Sequence, residues 1–162
     1  MTTARARTER PRARAVPVRE PVPGGGRYDY ADAFEIRLSH ADDRTAEVWA
    51  RDSLERAPAA VRRLVVAVHR RVLGFPLDPR AAPGTVLGWP IRSAEPDVVV
   101  LEAESRLLRG VLVGRRGDPS RTELTTFLFF RRRRLARWVW TVVGPLHRAV
   151  APMLLERAAR RP

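Results

Sequence analysis

The sequence predicts an α+β fold: a curved antiparallel sheet, two short helices after its first strand, and a long kinked C-terminal helix packed on the sheet. Three observations carry this. Tyr28 to Leu38 alternates apolar and polar residues, the period of a half-buried strand. Four extended segments between Leu87 and Phe130 are joined by connections too short for parallel pairing. The stretch from Arg134 to Arg161 repeats apolar residues at helical spacing and has to bury that stripe, for which the sheet is the available face.

Taken in order, residues 1–26 mix Arg with Ala, Thr and Pro and end in Pro21-Val22-Pro23-Gly24-Gly25-Gly26. Proline disfavours helix and ladder, and glycine adds freedom, so the expectation is a disordered arm ahead of a domain over 27–161. In the first strand, Tyr28, Tyr30, Phe34, Ile36 and Leu38 share one parity; Asp32 is the one polar exception on it. Asp42 or Asp43 is placed to cap a helix over Thr45 to Leu54. Pro58 starts a second helix, with Val61, Leu64, Val65, Val68 and Val72 on one face and Arg62, Arg63, Arg70 and Arg71 on the other; Gly74 ends it. A Pro/Gly loop spans Phe75 to Val86. Strands follow at Leu87–Ser93, Asp97–Glu104, Leu107–Arg115 and Arg121–Phe130, separated by turn signals at Glu95-Pro96-Asp97 and Gly117-Asp118-Pro119-Ser120. In the last helix the expected apolar stripe is Leu135, Trp138, Val139, Val142, Leu146, Val150, Met153 and Leu154, with kinks at Gly144-Pro145 and Pro152.

Composition narrows the function classes. All 31 basic residues are arginine, and the net charge is +13. A GC-rich coding bias accounts for Arg over Lys, but not for the excess. Such a chain is attracted to anions, weakly and in a salt-sensitive way. There is no cysteine, so disulfide and thiolate chemistry are excluded and a cytoplasmic location is expected. The first residues carry no apolar run of signal-peptide type, and no uncharged apolar stretch reaches the roughly 18 residues of a membrane span.

The element order resembles the helix-grip superfamily of START, polyketide-cyclase and birch-allergen-like domains. In these a curved antiparallel sheet wraps a long C-terminal helix. The resemblance implies about seven strands, whereas five are read here. A closer resemblance, across nearly all of residues 28–160, is to one family of unknown function from high-GC bacteria. It rests on Asp32-Ala33-Phe34-Glu35, Trp49-Ala50-Arg51, Ala57-Pro58, Gly88-Trp89-Pro90 and Gly144-Pro145-Leu146-His147-Arg148. It supplies no catalytic residues to carry over.

No chemical motif stands out. His40, His69 and His147 lack zinc-site spacing, and no nucleophile elbow, P-loop or GxGxxG at a strand–helix junction occurs. Glu102 and Glu104 share a strand face, which is what a solvated outer face shows. His147 follows a kink in the helix expected to close a cavity, so it can line that cavity or satisfy a freed carbonyl. The aromatic residues suit either a core or an apolar ligand site. The ligand-pocket candidates are Trp89, Phe127, Phe129, Trp138, Val142 and His147; the anion-contact candidates are Arg131, Arg132, Arg133 and Arg134. No catalytic residue, cofactor or metal ligand is assigned. The expected partners are a small apolar ligand and, weakly, an anionic surface. No specific nucleic-acid motif is present, and the oligomeric state is not set. The leading expectation is a domain that binds an apolar or amphipathic small ligand between sheet and C-terminal helix. The alternatives are an interaction module recruited to an anionic surface, membrane or nucleic acid, through the arm and the arginine run, and a cyclase- or dehydratase-like enzyme by resemblance alone.

Overall fold

The structure is a computed structural model that describes residues 10–160 apart from 79 and 81. The chain runs β1 (Ala13–Val16), β2 (Tyr30–Arg37), α1 (Ala46–Leu54), α2 (Ala59–Ala67) with a π-helical continuation (Val68–Val72), β3 (Thr85–Val86), β4 (Trp89–Glu95), β5 (Val98–Glu104), β6 (Leu108–Asp118), β7 (Arg121–Phe130) and α3 (Arg133–Ala159). The strands form one curved antiparallel sheet in the order β1-β2-β7-β6-β5-β4-β3. The step that closes it is the pairing of β2 with β7, which sets Phe34 opposite Leu124 and Asp32 opposite Thr126.

The three helices cover one face of the sheet. Along β5 and β7 the pleat sends Val99, Leu101, Ala103 and Leu128 to that face, where they meet Leu73, Phe75, Trp89, Ala136, Trp140 and Val143. A neighbouring cluster joins Phe34 and Ile36 of β2 to Trp49, Ala151, Leu155 and Ala158. Gly110 of β6 is needed here, because a Cβ would lie 3.0 Å from both the Phe75 and the Trp89 rings. The opposite face is also apolar. Val100, Val111, Val113 and Phe127 are buried there under Val18 and Val22, and the Tyr28 ring lies 5.4 Å from Phe127.

That cover comes from the segment expected to be a disordered arm. Ala13–Val16 adds an edge strand to β2 in the register Ala13↔Ile36 to Val16↔Ala33. Glu20 then accepts two hydrogen bonds from Arg115 at 2.6 and 2.8 Å. The expectation of disorder over 1–26 is therefore corrected from residue 10 onward. Residues 1–9 lie outside the described residues. Composition misled because an edge strand needs few ladder bonds, so prolines on either side of it do no harm.

The count of seven strands, rather than five, comes from β1 and from the two-residue β3. Leu87, expected in a strand, instead forms a tight hairpin turn with Gly88, at φ 49° and 83°. Two positive φ values match the twist of the flanking strands. A Cβ on Gly88 would overlap the carbonyl oxygen of Asp78. The α1 cap is Thr45, whose Oγ1 accepts from Val48 N at 3.3 Å, and neither Asp42 nor Asp43. Asp42 does different work. Its carboxylate accepts from Trp49 Nε1 (3.0 Å) and from Arg44, which reaches on to Asp52 (2.7 Å) and to the Ala158 carbonyl (3.2 Å). Buried Arg116 completes the cluster against Asp42. This ties α1 to the end of β6 and to the last turn of α3. Burial opposes the charge of Asp42, but the hydrogen bonds from Arg44 and Trp49 outweigh it and hold the carboxyl well below the usual carboxylate range.

Two outcomes are expected. Deleting residues 1–26 uncovers the second face and lowers stability by at least about 2 kcal/mol, read as a lower urea midpoint; a free arm would leave the midpoint unchanged. Asp42→Asn removes the carboxylate shared by Arg44 and Arg116 and lowers stability by about 3 kcal/mol at neutral pH. Because the folded-state value lies below the unfolded one, this stabilisation is complete above about pH 4 and fades as the pH falls below it. Denaturation of both proteins across that range checks it: the gap between them closes in acid.

Candidate ligand-binding site

A cavity of about 90 Å³ lies between the helix face of the sheet, α2 with its π-helical continuation, and the middle of α3. A second space of about 50 Å³ lies toward α1 and shares Leu54, Leu112, Leu124 and Leu154 with the first. Only side chains therefore separate the two. The floor is β7, where alternation puts Leu124, Thr126 and Leu128 on the cavity side. The wall from α3 is Trp140, Val143, His147 and Ala151, spaced three and four apart. The roof is α2. None of its residues is buried, and Leu64, like Val72 in the π-helical continuation, is nearly half exposed.

The lining is mostly apolar, with His69 on the α2 side and Thr126 and His147 grouped on the opposite side. His147 Nε2 lies 3.1 and 3.2 Å from the two carboxylate oxygens of Asp32, and 3.4 Å from Thr126 Oγ1. Tyr30 donates its hydroxyl to Asp32 at 2.6 Å, and Arg148 reaches the same hydroxyl at 3.5 Å. The His147 and Asp32 side chains are only 17% and 14% exposed. His147 Nδ1 makes no hydrogen bond among the described residues. Burial opposes the charge on Asp32, yet His147, Tyr30 and Thr126 together bring its carboxyl below the ordinary value. Burial, helped by the neighbouring Asp32, pushes Tyr30 up to about 12. Trp140 packs its ring against both Tyr30 (4.8 Å) and His147 (5.4 Å), and its indole Nε1 is buried with no hydrogen-bond partner among the described residues. His69 lies in the π-helical turn, edge-on to Trp89 at 5.4 Å, and burial pushes its ring down to about 4, so it is neutral. A π turn at a cavity wall is a recurrent feature of functional sites.

The structure brings together two of the six pocket candidates, Trp89 and His147. Phe127 and Phe129 are on the other face of the sheet, Phe127 under the N-terminal segment and Phe129 beneath the Arg109 guanidinium at 4.0 Å. Trp138 and Val142 point into solvent, 74% and 76% exposed. Of the expected stripe, Leu154 is buried and Leu146 and Val150 line the cavity, while Leu135, Trp138 and Val142 face out; the buried residues of α3 are Ala136, Trp140, Val143, Gly144, Ala151, Leu154, Leu155 and Ala158. Small residues let the helix approach the sheet, and a reading that looks for large apolar residues passes over them. Among the anion candidates, Arg131 pairs with Glu104 and Arg133 with Asp29, while Arg132 and Arg134 are exposed and make no ion pair among the described residues. Glu102 pairs with Arg92 and Arg109, and His40 hydrogen-bonds the Ser39 hydroxyl. Asp32, Tyr30, Thr126 and Trp140 were not among the candidates. Asp32 did leave a signal, as the one polar residue on the apolar parity of its strand.

Among the described residues, no three His, Asp or Glu side chains converge as metal ligands, and no helix is long and apolar enough to cross a membrane. Comparison with family models, curated proteins and solved structures finds no match.

The Tyr30 environment can be tested by ultraviolet titration. Tyr30 is expected to ionise near pH 12, and Asp32→Asn to move it down while leaving it above the ordinary 10, since burial is the larger cause. A wild-type Tyr30 that titrates at the ordinary value would show that the cluster is not closed as described.

Proposed function

We propose that this domain binds a small amphipathic ligand between the sheet and α3, with the Asp32–His147 pair as its polar anchor. The observation that carries this is the hydrogen-bonded Asp32–His147 pair, whose imidazole lines a cavity walled mainly by apolar side chains. A few convergent polar groups in an apolar lining is how small-molecule sites fix orientation. Desolvating two ionisable groups contributes little net stability, and at this place the pair faces a cavity rather than tying elements together as the Asp42 cluster does. The seven antiparallel strands and the C-terminal helix laid on them also support membership of the helix-grip superfamily, whose domains enclose ligands in this place.

At about 90 Å³ the cavity is well below the roughly 300 Å³ of a typical ligand site. Two features supply the difference. The adjoining space lies behind a thin wall of leucines, and α2 is a weakly held roof between Pro58 and the left-handed Gly74. Opening α2 outward is the movement that admits a ligand.

Native mass spectrometry of protein purified from its own source is expected to show a retained small molecule, and a thermal-shift panel of amphipathic alcohols and acids to show stabilisation. Val143→Phe fills the cavity and is expected to abolish both. His147→Leu with Thr126→Val keeps the apolar lining and is expected to weaken binding about tenfold or more by removing the anchor. No retained molecule, together with no stabilisation across the panel, would sink the proposal.

A further inference from the structure

We propose that the exposed face of the first half of α3 docks this protein on an anionic lipid bilayer. The surface is separate from the cavity and stands or falls independently of it. Leu135, Trp138 and Val142 follow one another at helical spacing and are 51%, 74% and 76% exposed. Trp138 is the one exposed tryptophan; Trp49, Trp89 and Trp140 are buried. Isolated apolar residues on a surface are ordinary, but three large ones aligned on one helix face form a stripe.

The charge around the stripe selects the partner. Arg131, Arg132, Arg133 and Arg134 crowd the start of α3, followed by exposed Arg137, and the first turn has no acidic residue. Cations at this end oppose the helix dipole, so the arrangement is locally unfavourable unless an anion meets it. Asp29 and Glu104 neutralise two of them, and Arg132 and Arg134 make no ion pair among the described residues. Arginine at headgroup level beside Trp and Leu is the pattern of an interfacial helix. Three side chains on a convex helix are far short of the ~800 Å² each partner buries in a stable protein interface. A fluid anionic surface asks for no shape complementarity, and weak insertion adds to electrostatic attraction there. Nucleic acid would use the arginines but leave Leu135 and Val142 without a role.

The test uses the full chain with vesicles of equal parts phosphatidylcholine and phosphatidylglycerol, and with pure phosphatidylcholine. On the anionic vesicles Trp138 emission is expected to shift to the blue and to lose its acrylamide quenching, with co-sedimentation that falls as salt rises. On the neutral vesicles neither change is expected. Arg132→Gln and Arg134→Gln are each expected to weaken co-sedimentation about fivefold. Trp138→Ser with Val142→Ser is expected to weaken it roughly tenfold or more. All these positions are exposed, so unchanged circular dichroism and thermal midpoint are expected to accompany the loss. Equal binding to neutral vesicles, or anionic binding that none of the substitutions changes, overturns the proposal. So does association with duplex DNA or an acidic protein while the anionic vesicles leave Trp138 quenchable.

Discussion

The central strands are apolar on both faces, and the rest of the structure answers to that constraint. Val98-Val99-Val100-Leu101 in β5 and Phe127-Leu128-Phe129-Phe130 in β7 send large side chains to both faces of the sheet. A sheet of this kind is stable only if it is covered twice. The helices cover one face. The N-terminal segment covers the other, and to reach it the chain pairs β1 with β2 and crosses behind the sheet through Val18, Val22 and Tyr28. A segment that looks dispensable by composition is thus part of the core.

The same sheet positions the polar cluster. Asp32 is on the covered face of β2, opposite Thr126, where an unpaired carboxylate would be strongly unfavourable. Three elements each supply a partner: Tyr30 from β2, Thr126 from β7 and His147 from α3. The cluster therefore forms only when β2, β7 and α3 are all in place. The Asp42 cluster differs in kind. Its arginines and aspartates join α1, β6 and the end of α3 away from the ligand cavity, and it serves as a structural tie.

The long helix divides its apolar residues between two surroundings. Its sheet side is rich in Ala and Gly, which allows close approach. Much of its bulk, in Leu135, Trp138 and Val142, faces away. Hydrophobic periodicity is a property of both faces here, and size pointed to the outer one in the first half of the helix, though to the inner one at Leu146, Val150 and Leu154. Phe127 and Phe129 were misplaced for a related reason, because a strand apolar on both faces has no parity that marks its inner side.

Apart from the two-residue β3, the order of helices and strands from Tyr30 to Ala159 was legible because local signals set it: alternation, helical spacing, Pro58, Gly74 and the turn at Asp118-Pro119. His147 and the odd parity of Asp32 were legible as individual residues. Their partnership was not, since 115 positions separate them and only the β2–β7 pairing and the seat of α3 bring them within 3.2 Å. Whether residues 13–28 hold to the sheet, which side of α3 faces inward, and which aromatic residues share a cavity are likewise decided by packing. Each depends on what lies across the fold from a residue, and neighbours in sequence carry no record of that.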